Sequence, residues 1–147
     1  MSWKNLLANR TVQTHNTSRQ EIENLRELVS RDLKDAGING LSADRRFATA
    51  YNAVLQLSKM AIAFEGYRVA AGVGHHQKTY EAVKMALGTT SAEMLADYFE
   101  TCRRKRNKID YDAAEVVTET EADEILEKAR EFQILIEDWI SMNHPVI

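Results

Sequence analysis

"LSADRRFATAYNAVLQLSKMAIAFEGYRVA", residues 41–70, decides the fold of this chain. A helical pattern starts at Ser42. Phe47, Ala50, Val54, Leu57, Ala61 and Phe64 then recur at three- and four-residue steps, which puts them on one face of a helix. Tyr51, Leu55 and Ile62 widen that face. An apolar face this broad predicts a central helix covered by neighbours. Gly66 either ends the helix or is tolerated inside it.

The flanking segments repeat the pattern. In "NTSRQEIENLRELVSRDLKDAG", Ile22, Leu25, Val29, Leu33 and Ala36 form a stripe, and Gly37 is a stop. Thr17 or Ser18 caps it, with Glu21 placed three residues after Ser18 as in a capping box. "GVGHHQKTYEAVKMALG" predicts a short helix from about His75 to Leu87, closed by Gly88. In "TTSAEMLADYFETCRRKRNKID", Thr90 or Ser91 caps a stripe of Leu95, Tyr98, Phe99, Cys102 and Ile109. "TETEADEILEKAREFQILIEDWI" crowds acids into its first turn, which suits the helix dipole. Its stripe is Ala122, Ile125, Ala129, Phe132, Ile136 and Trp139 or Ile140. The opening "SWKNLLANR" adds at most a short docking segment. Pro145 is the sole proline, no alternating strand pattern stands out, and there is no internal repeat. The expected fold is all-α: a five-helix, mainly antiparallel up-and-down bundle, with residues 1–147 as one domain.

Composition narrows the function classes. The net charge of -3 and pI of about 5.8 disfavour a general nucleic-acid coat protein, while leaving room for a local basic patch. The single cysteine, Cys102, allows no intramolecular disulfide and suits a reducing cytosol. No apolar run approaches the ~18 residues that span a membrane. The start "MSWKNLLANR" lacks the apolar stretch of a signal peptide. A cytoplasmic protein with no membrane partner is expected.

The stretch "RRKRNKIDYD", residues 103–112, is where the apolar pattern breaks. After Phe99 and Cys102, the core-facing positions fall on Lys105 and Arg106, and Ile109 resumes the stripe. Arg103, Arg106, Asn107 and Asp110 are spaced by three and four, so they share one side. Two readings fit. In one, cations complement the dipole at a helix end and snorkel out of an apolar seam. In the other, Arg106 is held in a polar notch to meet a phosphate or carboxylate, a task its planar, permanently charged fork suits.

The order "GHHQKTYEAV … LADYFETCRRKRNKIDYD … EADEILEKAREFQILIEDWI" resembles the HEPN superfamily over about residues 20–140. These are small helical domains of prokaryotic toxin–antitoxin and defence systems, often found beside nucleotidyltransferases. Active members resemble metal-independent ribonucleases with Arg, four to six residues, then His, and a polar residue after the Arg. Arg106 and Asn107 match the first two positions. Tyr111 stands where the His would fall at the shortest spacing, and no His occurs between His76 and His144. Cleavage through a 2′-hydroxyl needs proton transfer near neutral pH, which His supplies and an ordinary Tyr does not. Arg106 would still stabilise phosphate charge. The resemblance therefore implies a nucleotide- or RNA-associated binding domain without standard nuclease activity. Arg106 and Asn107 make the polar contacts, Tyr111 stacks or hydrogen-bonds, and Arg103 and Asp110 support them. If the chain is active, Arg106, Asn107 and Tyr111 are the catalytic candidates. The resemblance also implies a homodimer and a nucleotidyltransferase-type antitoxin partner. No cofactor is expected.

Other candidates are weaker. His75 and His76 are adjacent, so their side chains diverge by about 100° and make a poor metal pair. They read as a helix-start surface pair, or one of them sits across from Arg106 and replaces the missing motif His. Arg45 and Arg46 read as first-turn surface charges, or as lining of the same cleft in a dimer. Tyr51 and Asn52 read as packing and capping, Trp3 and Trp139 as core or interface anchors, and Cys102 as a small buried hydrophobe. Asp110, Asp112 and Glu115 follow no calcium-loop pattern, and no metal is expected. Two rival classes stay open: a metal-independent ribonuclease using His75, His76 or Tyr111, and a purely structural interaction module.

Overall fold

The computed structural model describes residues 2–72, 74–111 and 116–145, leaving aside the side chains of residues 110 and 111. The described chain is mainly helical. Its elements run α1 (Trp3–Ala8), β1 (Val12–Thr14), α2 (Arg19–Ala36), α3 (Ala43–Phe64), β2 (Tyr67–Val69), α4 (His75–Leu87), α5 (Thr90–Tyr111) and α6 (Glu119–Asn143). The five helices read from periodicity are α2 to α6. The opening segment supplies the sixth, α1.

One expectation is corrected outright. β1 and β2 pair antiparallel, with Val12 opposite Val69, Gln13 opposite Arg68 and Thr14 opposite Tyr67. Each strand is three residues long, too short to show an alternating pattern. Gly66, at φ +91°, turns the chain from the end of α3 into β2, so it ends the helix. Trp3 stacks on Tyr67 at 4.4 Å and holds α1 to the ribbon.

The helix starts follow local chemistry. Ser18 and Ser42 cap α2 and α3, accepting from the N–H groups of Glu21 and Arg45. The Ser18 cap is not reciprocal, because the Glu21 carboxylate is engaged by His15 and Thr17 instead. The full capping box belongs to α6, between Thr118 and Glu121. At α5 the cap is Thr89 rather than Thr90 or Ser91, its hydroxyl accepting from Ala92 N–H at 3.2 Å.

α3 is the centre of the core, as its wide face predicts. Phe47, Tyr51, Val54, Leu57, Met60 and Ile62 are all buried. It packs against α2, α6, α4 and α5. Phe99 of α5 meets Phe132 of α6 at 5.2 Å between ring centres. Polar ties brace the periphery. Arg26 donates both Nε and Nη2 to the Glu137 carboxylate, at 2.9 and 2.8 Å, linking α2 to α6. The Asp44 carboxylate accepts from the N–H groups of Val116 and Val117, fixing the approach to α6. No helix among the described residues is long and apolar enough to cross a membrane.

Candidate functional site

The polar site forms where the start of α4 meets the second half of α5. Gly74 takes a left-handed conformation at the N-cap of α4, with φ +77°, and has no side chain to cap the helix. The first turn of α4 therefore presents N–H groups that no N-cap side chain satisfies, at the positive end of its dipole. Facing it, α5 brings Arg103 and Asn107. These two, with Gly72, Gly74, His75, His76 and Gln77, line an open cavity of about 250 Å³.

The run of cations separates once the helix forms. Arg103 Nε donates to Glu100 Oε1 at 3.0 Å, one turn back on α5. Gln77 of α4 reaches the same oxygen at 3.4 Å, so Glu100 aims Arg103 and joins the two helices. Arg104 is exposed. Lys105 turns to the opposite side and donates to Glu121 at the start of α6. Arg106 returns to the α4 side, half-buried, close enough to act on His76 and Tyr51. The break in the apolar stripe at positions 105 and 106 thus has two causes. Lys105 serves a structural ion pair, and Arg106 belongs to the polar site.

His76 is the residue whose placement changes the chemistry. It is not a simple surface group. Its ring is half-buried beside Tyr51, with Nδ1 3.2 Å from the Tyr51 hydroxyl and the ring centres 5.7 Å apart. Burial holds its pKa below the usual histidine value, and the nearby His75, Arg106 and Arg103 charges push it the same way. At neutral pH the imidazole is uncharged. Burial pushes the Tyr51 phenol up to about 12, so it keeps its proton. Tyr80 lies edge-on to Tyr51 at 6.5 Å and is also pushed up by burial. His75 and His76 rings stand 5.9 Å apart at 61°, and His75 Nδ1 is within 3.2 Å of the Ala70 carbonyl. The pair diverges, as expected for neighbours on a helix.

The structure therefore brings together Arg103, Arg106 and Asn107, and adds His76 to them. The side chains of Asp110 and Tyr111, and residues Asp112 and Glu115 altogether, lie outside the described residues. Arg46 does not line the site. It is occupied at the junction of α2 and α6, donating to Ala36 O, Glu119 and Asp123. Arg45 is exposed. Cys102 is buried and its thiol pushed up to about 11, chiefly by burial, which leaves it protonated and a poor nucleophile. Trp3 and Trp139 pack on the edge of the core.

Three contributors were missed. Tyr51 sits on the apolar face of α3, and nothing in its spacing distinguishes it from core. Gln77 has no sequence signal either. Glu100 did have one: it lies three residues before Arg103, the spacing of a helical ion pair.

Chemically, the arrangement can hold an anion. The Arg103 guanidinium, the Asn107 amide and an uncapped helix start converge on one opening, and the Arg106 charge acts on His76 beside it. A neutral imidazole stands beside them, its pKa held below the usual histidine value by burial. No family model, curated protein or solved structure matches this chain.

Proposed function

We propose that this chain is a HEPN-like domain of a prokaryotic toxin–antitoxin or defence system that binds RNA or a nucleotide through phosphate, without standard nuclease activity. The observation that carries the reading is the cavity shared by Arg103, Asn107 and the uncapped start of α4, with Arg106 beside it. A phosphodiester offers the charge and acceptor oxygens that this set of donors can satisfy. The proposal includes the antiparallel up-and-down packing of α2 to α6, a homodimer, a nucleotidyltransferase-type antitoxin partner and a cytoplasmic setting. Tyr111 and Asp110 keep their proposed supporting roles.

A second reading rests on His76. As a neutral imidazole next to Arg106 it has the protonation state a general base needs, which favours a metal-independent ribonuclease using a base from α4. One incubation series separates the readings: labelled RNA in EDTA with wild type, Arg106→Ala, His76→Gln and Tyr111→Phe, scoring cleavage and retention together. Retention without cleavage, lost in Arg106→Ala, supports the binding domain. Cleavage that persists in EDTA and disappears in both Arg106→Ala and His76→Gln replaces it with the ribonuclease. Neither cleavage nor retention overturns both in favour of a structural interaction module.

A further inference from the structure

A second cavity, of about 280 Å³, lies between α2, α3, β2 and the start of α4. Its walls are of two kinds. Leu25, Ile62, Ala63 and Val69 give it an apolar lining. Its titratable lining is Glu21, His15, Lys59, Tyr67, Arg68 and His75. The one acid is already engaged: both Glu21 oxygens lie within 3.0 Å of His15 Nε2, and Thr17 donates to Oε1 at 2.6 Å. The cations are less committed. Arg68 gives Nε to Gln13, at 3.1 Å, and its two terminal nitrogens remain for other acceptors. Lys59 is the sole charged residue between Arg46 and Glu65, on the helix that forms the core. It makes no direct ion pair among the described residues. This lysine stands on an otherwise uncharged stretch at the mouth of a half-apolar cavity, and its charge acts on Glu21 across that cavity without a direct ion pair.

We propose that this cavity binds a small organic anion, its carboxylate or phosphate meeting Lys59 and Arg68 and its apolar body resting against Leu25, Ile62 and Ala63. The volume suits a ligand of about one ring, near the lower end of small-molecule sites. This site shares only His75 with the lining of the α4–α5 cleft and does not depend on RNA or nucleotide binding there.

The test is an amide NMR titration of the full chain with benzoate, with phenyl phosphate and with uncharged phenol. Saturable shifts confined to Lys59–Ala63 and Tyr67–Val69, from either anion, are expected. Which anion binds more tightly tells carboxylate from phosphate. Lys59→Gln weakens binding about tenfold, or ~1.4 kcal/mol, and Arg68→Gln weakens it in the same direction. Both residues are exposed, so both variants fold. Arg103→Ala leaves binding unchanged. The proposal is overturned if neither anion saturates, if phenol binds as tightly as benzoate, or if the shifts fall at Arg103 and Asn107 instead.

Discussion

Replacing Arg46 with methionine tests whether the structure divides its arginines correctly between scaffold and site. The Arg46 side chain is only 12% exposed. Nε donates to the carbonyl of Ala36 at 2.8 Å. That oxygen is among the last carbonyls of α2, which the helix itself leaves unpaired, and Ala36 is fully buried. A hydrogen bond from a charged donor to such a group is worth about 1.5–3 kcal/mol. The two carboxylate partners are different. Glu119 and Asp123 are 71% and 69% exposed, so water replaces the guanidinium readily and each pair adds at most about 0.5 kcal/mol. Methionine keeps most of the apolar stem. The sum is a loss of about 1.5–4 kcal/mol. With a urea dependence of about 2 kcal/mol per molar, the unfolding midpoint falls by roughly 1–2 M. Arg45→Met, one residue away and exposed, stays within about 0.5 kcal/mol of wild type. High salt removes only the small carboxylate share. Equal midpoints for the two variants would refute the assignment. So would a folded Arg46→Met chain that no longer retained RNA which wild type retained.

Further outcomes follow from the same geometry. In an NMR pH titration His76 titrates below the ordinary value of about 6.5, and Arg106→Ala moves it upward by removing a repelling charge. Because its folded pKa is lowered, the unfolded chain binds the proton first. The stabilising effect is complete above pH ~6.5 and is lost as pH falls toward the folded value, so His76→Gln flattens stability over that window. Cys102 in the folded chain resists a thiol reagent at pH 8 and reacts promptly in denaturant, because burial holds the thiol near 11. Phe99→Ala, which empties a fully buried ring site against Phe132, lowers stability by about 3–5 kcal/mol in urea unfolding.

The fold was largely legible because periodicity reports burial, and burial dominates here. The positions read from α3, α2 and α6 stripes are core residues, among them Phe47, Val54, Leu57, Ile22, Val29, Ile125 and Phe132. Short-range backbone chemistry was less legible. Thr89, Thr90 and Ser91 all offer a hydroxyl, and only the geometry of the first turn selects Thr89. The ribbon escaped because Val12 and Val69 are 57 residues apart and neither strand has a turn signature joining it to the other. The site was half legible. Arg106 stood out by interrupting a stripe, and Arg103 and Asn107 by a three- and four-residue spacing that puts them on the same side of the helix. For His76 the sequence left two readings open, a surface group or a residue across from Arg106, because its neighbours Tyr51, Arg103 and Arg106 come from two other helices and no spacing in one helix encodes that meeting.

That meeting decides which chemistry the cleft can support. Tyr51 keeps its proton at neutral pH, so its hydroxyl can donate to His76 Nδ1, or accept from it. If the phenol donates, the histidine proton sits on Nε2, and the ring can offer only a donor to an anion there. It then works with Arg103 and Asn107 as a phosphate binder and not as a base. If Nδ1 carries the proton, Nε2 has its lone pair and can take a proton from a hydroxyl. Nitrogen-15 chemical shifts of His76 separate the two tautomers directly. Nε2–H accords with the binding domain proposed here. Nδ1–H, retained above the His76 pKa, would favour the ribonuclease. Tyr51→Phe removes the hydroxyl that selects between them, so it shifts the tautomer ratio in either case. If it left the nitrogen shifts unchanged, the Tyr51–His76 bond would have no part in the site.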